Sequence, residues 1–301
     1  MSRAFFCLIL FALCSAQASP VKRFHLYYGS DPTILVTIKE ALIADSLVVI
    51  DQRAFSDDHL QEWIQTCQRS KAKVITYFSI GELHSDDLER FQQTLSKDEV
   101  FEDLIIDKNE TFNSFRVDAD HPAWQRWVTT EISQLLSSGV DGIFLDTVDT
   151  IDRYATHPQW PASRKQTSIT RMIETIRAIK ARHPEAYIMQ NGGLNMIGET
   201  MFIGAQTGVN IPAQSLSIPH KHNPDAVLWE NALAHHDDWA KGRQTELEAI
   251  QRAGHTQILA LGYKAAHPSP ANALKSFRDL GFVGAWSTSS LVLHREASIS
   301  H

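Results

Sequence analysis

Beyond its first eighteen residues the chain has one cysteine, Cys67, because Cys7 and Cys14 both lie in the opening stretch "MSRAFFCLILFALCSAQA". No disulfide can form within residues 19–301, so stability has to come from a buried core. A second long apolar run is also missing. Nothing after residue 18 approaches the roughly 20 apolar residues that a membrane helix needs, and no membrane span is expected. Basic residues are in deficit, 28 Lys and Arg against 35 Asp and Glu for a net charge of −7, a balance that does not suit nucleic acid. No Gly-rich phosphate loop follows the first strand-like run, and no helical HExxH occurs, which argues against a nucleotide or zinc site. No repeat, low-complexity tract or linker marks a second domain.

What is present begins with a leader. Arg3, the unbroken apolar run Ala4–Cys14, and small residues at Ala16 and Ala18 read as a secretory signal peptide over residues 1–18. The expectation is a secreted or periplasmic protein whose mature chain is residues 19–301. Losing Arg3 makes the mature chain more acidic by a single charge, a surface that tolerates or attracts a cationic substrate. At 43% hydrophobic residues, the chain can fill one large α/β core or two smaller ones.

Eight β-rich runs succeed one another: "FHLYYG" (24–29), "SLVVID" (46–51), "KVITYFSIGE" (73–82), "VDGIFLD" (140–146), "YIMQNG" (187–192), "AVLWENA" (226–232), "TQILALGY" (256–263) and "VGAWSTS" (283–289). Helical periodicity fills the gaps, with capping residues predicted at Asp31, Ser56, Asp120 and Ser269 and stops at Gly139, Gly254 and Gly281. Cys67 shares an apolar helix face with Leu60, Trp63 and Ile64, so it reads as core filling. Strand and helix in strict alternation demand parallel pairing, since each helix must carry the chain back across the sheet. Eight such units in this length predict a single-domain (β/α)8 TIM barrel. Two connections, 83–119 and 193–225, are long for that plan.

In such a barrel every strand ends at the face where the active site lies. Asp51, Glu82, Asp146, Asn191, Glu230, Tyr263 and Trp286 all fall at or near predicted strand ends. Asp146 is still attached to the apolar run "IFL", with Asp149 and Asp152 close behind. Two carboxyl groups across a cleft are what glycoside hydrolysis needs, one protonated to help the leaving oxygen depart and the other ionised. Tyr28, Tyr77, Trp229, Tyr263 and Trp286 offer flat apolar faces on which sugar rings stack.

At "YFSIGE" (77–82), "GVDGIFLDTVD" (139–149) and "LWENA" (228–232) the sequence resembles glycoside hydrolase family 114, the endo-α-1,4-polygalactosaminidases and their bacterial secreted relatives. The resemblance rests on Tyr77, Ser79, Gly81 and Glu82, then on Gly139, Asp141, Gly142, Asp146, Val148 and Asp149. It implies hydrolysis of an α-1,4-linked, galactosamine-containing polysaccharide without metal or cofactor. By motif, Asp146 is the catalytic carboxylate of the fourth strand, and Glu230 best matches the glutamate of the sixth. Tyr28, Asp51, Tyr77, Glu82, Asp149, Asn191, Trp229, Tyr263 and Trp286 are then expected to bind substrate. Thr147 stands where the family has Asn, and "GAQTGVNIPAQSLSIPHKHNPDA" (204–226) reads as an insertion.

The expected partner is the polysaccharide itself, met by a monomer. The imidazoles of "HKH" (220–222) and "HH" (235–236) read as solvated loop residues, not as metal ligands. "NET" at Asn109 fits a glycosylation acceptor.

Overall fold

The computed structural model describes residues 20–194 and 220–288. The leader, most of the expected insertion and the C-terminal tail lie outside the described residues. Eleven strands occur among those that are described: β1 (Arg23–Tyr27), β2 (Ser46–Ile50), β3 (Lys73–Ser79), β4 (Glu82–His84), β5 (Ile105–Asn109), β6 (Ser114–Val117), β7 (Gly142–Asp146), β8 (Tyr187–Asn191), β9 (Ala226–Glu230), β10 (Gln257–Tyr263) and β11 (Val283–Ser287). Eight form one parallel sheet in the order β1-β2-β3-β7-β8-β9-β10-β11. β11 lies against β1, so the sheet curls into a nearly closed (β/α)8 barrel. All eight predicted strands are present.

Alternation along each strand builds two cores. One face points to the barrel axis and packs Phe24, Leu26, Val49, Ile75, Phe144, Met189, Leu228 and Leu261 together. The other face meets the helices: Val48, Ile50 and Val74 pack on Leu60, Trp63, Ile64 and Cys67 of helix Asp57–Arg69. Gly142 is glycine because β7 and β8 run too close for anything larger, a Cβ there falling 1.9 Å from the Tyr187 carbonyl oxygen.

Caps set the helix starts much as the sequence suggests. Asp31 accepts from Thr33 N ahead of helix Pro32–Ala41, and Ser269 caps helix Pro270–Asp279. Gly254 ends helix Asp238–Ala253 in the left-handed region, at φ 72°. Ser56 stands at the start of helix Asp57–Arg69 without a side-chain cap bond, and Asp120, expected to cap helix Pro122–Ser137, does not cap it. His121 takes that position and its Nδ1 accepts from Ala123 N, while Asp120 pairs with Arg171 at 2.9 Å.

Carboxylates also serve the barrel's N-terminal end. Asp141, one residue ahead of β7, accepts the Val74 N–H of β3 at 2.8 Å, and Asp225, one ahead of β9, accepts the Ile188 N–H of β8 at 2.8 Å. Each stitches its strand to the preceding one at the end away from the mouth, so Asp141 acts on the fold.

The long connection after β3 has its own structure. The predicted run 73–82 breaks after Ser79, the chain turns at Ile80–Gly81, and β4, β6 and β5 form a three-stranded antiparallel sheet. Glu82 therefore begins a strand of this small sheet and does not end one of the barrel.

Candidate active site

Side-chain parity decides what reaches the mouth. Residues two beyond the inward-facing Ile75, Phe144, Met189, Leu228 and Leu261 are Tyr77, Asp146, Asn191, Glu230 and Tyr263, and all five turn inward at the C-terminal ends of their strands. Tyr28 follows Leu26 in the same way.

The six side chains meet. Asn191 Nδ2 donates to Asp146 Oδ1 at 3.0 Å and to Glu230 Oε2 at 2.8 Å. Tyr263 Oη donates to Glu230 Oε1 at 2.5 Å, and the Tyr77 hydroxyl donates to Asp146. The Tyr28 ring packs edge-on against Tyr77 at 5.3 Å and stacks with Phe144 at 6.4 Å. At the rim, Asp51 accepts from the Arg53 guanidinium at 2.9 and 2.8 Å, which holds that cation 5.7 Å from the centre of the Tyr77 ring.

The electrostatics follow from burial and like charge. Loss of hydration raises the Asp146 pKa, and so does Glu230, against the Asn191 hydrogen bond and others from the Thr147 backbone and Tyr77. Burial, then Asp146 and then Glu230, push Tyr28 well above the ordinary phenol value, so it stays protonated as a donor. Asp149 is exposed on one side, yet the surrounding mouth strips away some of its hydration and Asp146 and Asp152 repel its charge, which lifts it to about 6. Asp146 and Glu230 thus form a pair in which Asp146 holds its proton more readily than an isolated acid, the condition for dividing acid and base roles between two carboxyls.

Three expected binding residues lie elsewhere. Trp229 and Trp286 have the opposite parity and face the helices. Trp229 packs on Phe282, and Trp286 Nε1 donates to the His267 carbonyl at 2.9 Å. Their position at strand ends is visible in the sequence, but the face they turn to is not. Glu82 is buried in the small sheet, where Asn109, Ser114 and Arg116 hold its carboxylate. The same contact occupies the Asn109 side-chain amide, so the expected glycosylation acceptor is a buried structural group. His220 and His222 lead into the N-terminal end of β9, opposite the carboxylates. No group of three or more His, Cys, Asp or Glu side chains is placed to hold a metal ion among the described residues.

Two residues at the mouth are not marked as functional by sequence pattern. Arg53 carries no signal beyond its place two residues after Asp51. Thr147 stands in plain view within "LDTVD", but its φ of 61° is one that a β-branched residue gives no reason to expect.

A parallel barrel with two carboxyl groups converging at its C-terminal mouth has the ground plan of an enzyme that cleaves glycosidic bonds. The model of glycoside-hydrolase family GH114 matches residues 23–206, and the chain belongs to that family. The match includes Asp146 and both glycine-bearing motifs, while Glu230 lies past its end and is joined to them by geometry. Among solved structures, the glycoside hydrolase domain of PelA from Pseudomonas aeruginosa is similar at a TM-score of 0.58 and 17% identity, over 89% of this chain and 95% of that one. Aspergillus fumigatus Ega3, solved in complex with galactosamine, is similar at 0.55 and 11%, over 93% and 96%. Bacillus licheniformis trehalose-6-phosphate hydrolase is similar at 0.50 and 12%, over 81% and 56%. At these identities the likeness is one of fold. No curated protein matches the sequence.

Proposed function

We propose that this glycoside hydrolase is secreted and cleaves an α-1,4-linked, galactosamine-containing polysaccharide, with Asp146 and Glu230 as its catalytic carboxyl groups. The observation that carries the assignment is the single nitrogen of Asn191 bonded to both carboxylates. Two oxygens held by the two N–H bonds of one planar amide nitrogen, which diverge by about 120°, lie about 5 Å apart at these bond lengths. That is nearer the roughly 5–5.5 Å of retaining glycosidases than the roughly 6.5–9.5 Å of inverting ones. We therefore assign retention of anomeric configuration, through a glycosyl-enzyme intermediate on one carboxylate while the other carries the proton. The assignment of galactosamine rests on family membership, on the likeness to Ega3 and on the acidic mouth, where Asp146, Asp149 and Glu230 suit a cationic chain while the charge of Asp51 is matched by Arg53.

The test is to incubate purified mature protein with de-N-acetylated and N-acetylated galactosamine polymers, size the products, and follow the anomeric protons by NMR. Short oligomers whose first-formed anomer is α are expected. Release of the β-anomer first overturns retention, and no cleavage of any such polymer by folded protein overturns the substrate.

A further inference from the structure

The residues immediately after Asp146, Asn191 and Glu230 are all left-handed: Thr147 at φ 61°, Gly192 at 63° and Asn231 at 52°. Glycine and asparagine visit that region readily, whereas threonine, branched at Cβ, is strained there. Strain of this kind persists only where the surroundings impose it.

Those surroundings are specific. Thr147 Oγ1 lies 2.6 Å from the Asp146 carbonyl oxygen and 2.9 Å from Ser79 Oγ, and it accepts the Gly81 N–H at 2.8 Å. Ser79 Oγ in turn donates to the Glu82 carbonyl at 2.9 Å, and Ile80 N donates to the Asp146 carbonyl at 3.0 Å. The two hydroxyls own two protons for three oxygen–oxygen contacts, so the Thr147 proton is shared and the group is polar at every point. No side chain fits at Gly81, where a Cβ would come 2.3 Å from the Thr147 carbonyl oxygen. The small antiparallel sheet then fixes Gly81 and Glu82 from behind. Val117 N donates to the Gly81 carbonyl at 3.1 Å, and Glu82 is held by Ser114 at 2.5 Å and Arg116 at 3.2 Å. The peptide plane that carries the Asp146 carbonyl also carries the Thr147 backbone N–H, which donates to the Asp146 carboxylate, so the bonds to that carbonyl fix this donor as well.

We propose that Thr147 is a positioning residue: its hydroxyl, braced by Ser79 and Gly81 and through them by the antiparallel sheet, holds the turn that aims Asp146 at the substrate. The proposal rests on Asp146 being catalytic, and it makes the small sheet a component of the active-site framework. The groups facing Asp146 are Asn191, Glu230, Tyr77, Tyr28 and Asp149.

Three variants test it. Thr147→Val keeps the shape and the strain but removes the hydroxyl, Thr147→Ser keeps the hydroxyl, and Thr147→Gly removes both hydroxyl and strain. Expected are a fall in kcat of about tenfold or more for Val and Gly at little-changed KM, and recovery to within about threefold for Ser. The acid limb of the pH–kcat/KM profile should move upward for Val and Gly as the N–H drifts from the carboxylate, while Thr147→Gly still unfolds in one cooperative transition, its relief of strain offsetting part of the lost Gly81 hydrogen bond. Full activity and an unmoved pH profile in folded Thr147→Gly overturn the proposal. Asp146→Asn, run alongside, separates the two readings: if it stays active the catalytic assignment has failed, and if it is inactive while the Gly variant is unimpaired only the positioning role has.

Discussion

Tyr263 Oη donates to Glu230 Oε1 at 2.5 Å while Asn191 takes the carboxylate's other oxygen at 2.8 Å, so Glu230 enters the cleft with its orientation already fixed. Hydrogen bonds to a charged group are worth about 1.5–3 kcal/mol, which corresponds to roughly 10- to 100-fold in a rate or binding constant. Tyr263→Phe keeps the ring in its packing and removes only the donor. Its kcat/KM is expected to fall within that range with the melting temperature unchanged, as steady-state kinetics and calorimetry will show.

Asp146→Asn and Glu230→Gln each remove a proton-transfer or nucleophilic group and little apolar surface. Turnover should drop by at least about 10²–10⁴-fold. Thermal stability should hold or rise slightly, since each change relieves repulsion between neighbouring acids. Loss of folding in either variant marks that carboxylate as structural.

Asp149 should titrate near 6 in an NMR experiment, and its midpoint should drop in Asp146→Asn because the Asp146 charge is one of the causes of the shift. Its folded-state pKa lies above the ordinary 3.8, so the folded state holds the proton more tightly. Stability is therefore greatest below about pH 4 in this one contribution and is lost as pH rises through about 6. Asp149→Asn does not titrate, so its melting temperature relative to the wild type should climb over that window and stay flat above it. A constant difference contradicts the shift.

Gly142→Ala places a methyl group where the Tyr187 backbone already lies, with no flexible side chain to yield. Overpacking costs about 1–3 kcal/mol or more, and here it acts on the β7–β8 pairing that sets Asp146 beside Asn191. The expected result is a lowered denaturation midpoint together with lost activity.

Cys67 is buried on the helix face against the barrel, and burial pushes its thiol up to about 12. A thiol reagent should leave the native protein unmodified and react only after unfolding. Rapid native-state labelling counts against the core position.

The sequence by itself determined the eight parallel strands, because alternation of short apolar runs with capped helices admits few other architectures. It also put Asp146, Asn191, Glu230 and Tyr263 at strand ends, where polar groups leave an apolar run. Whether each side chain faces the axis or the helices hangs on a one-residue shift in a period of two, and nothing local resolves it: Glu230 turns inward and Trp229 beside it outward. Tertiary structure alone decided that parity, the sharing of one Asn191 nitrogen by carboxylates 84 positions apart in sequence, and the fate of Glu82. A buried charge is tolerable only where Asn109, Ser114 and Arg116 converge on it, and that convergence comes from strands far from it along the chain. The left-handed Thr147 belongs with these. Local preference runs against it, and only long-range contacts hold it in place.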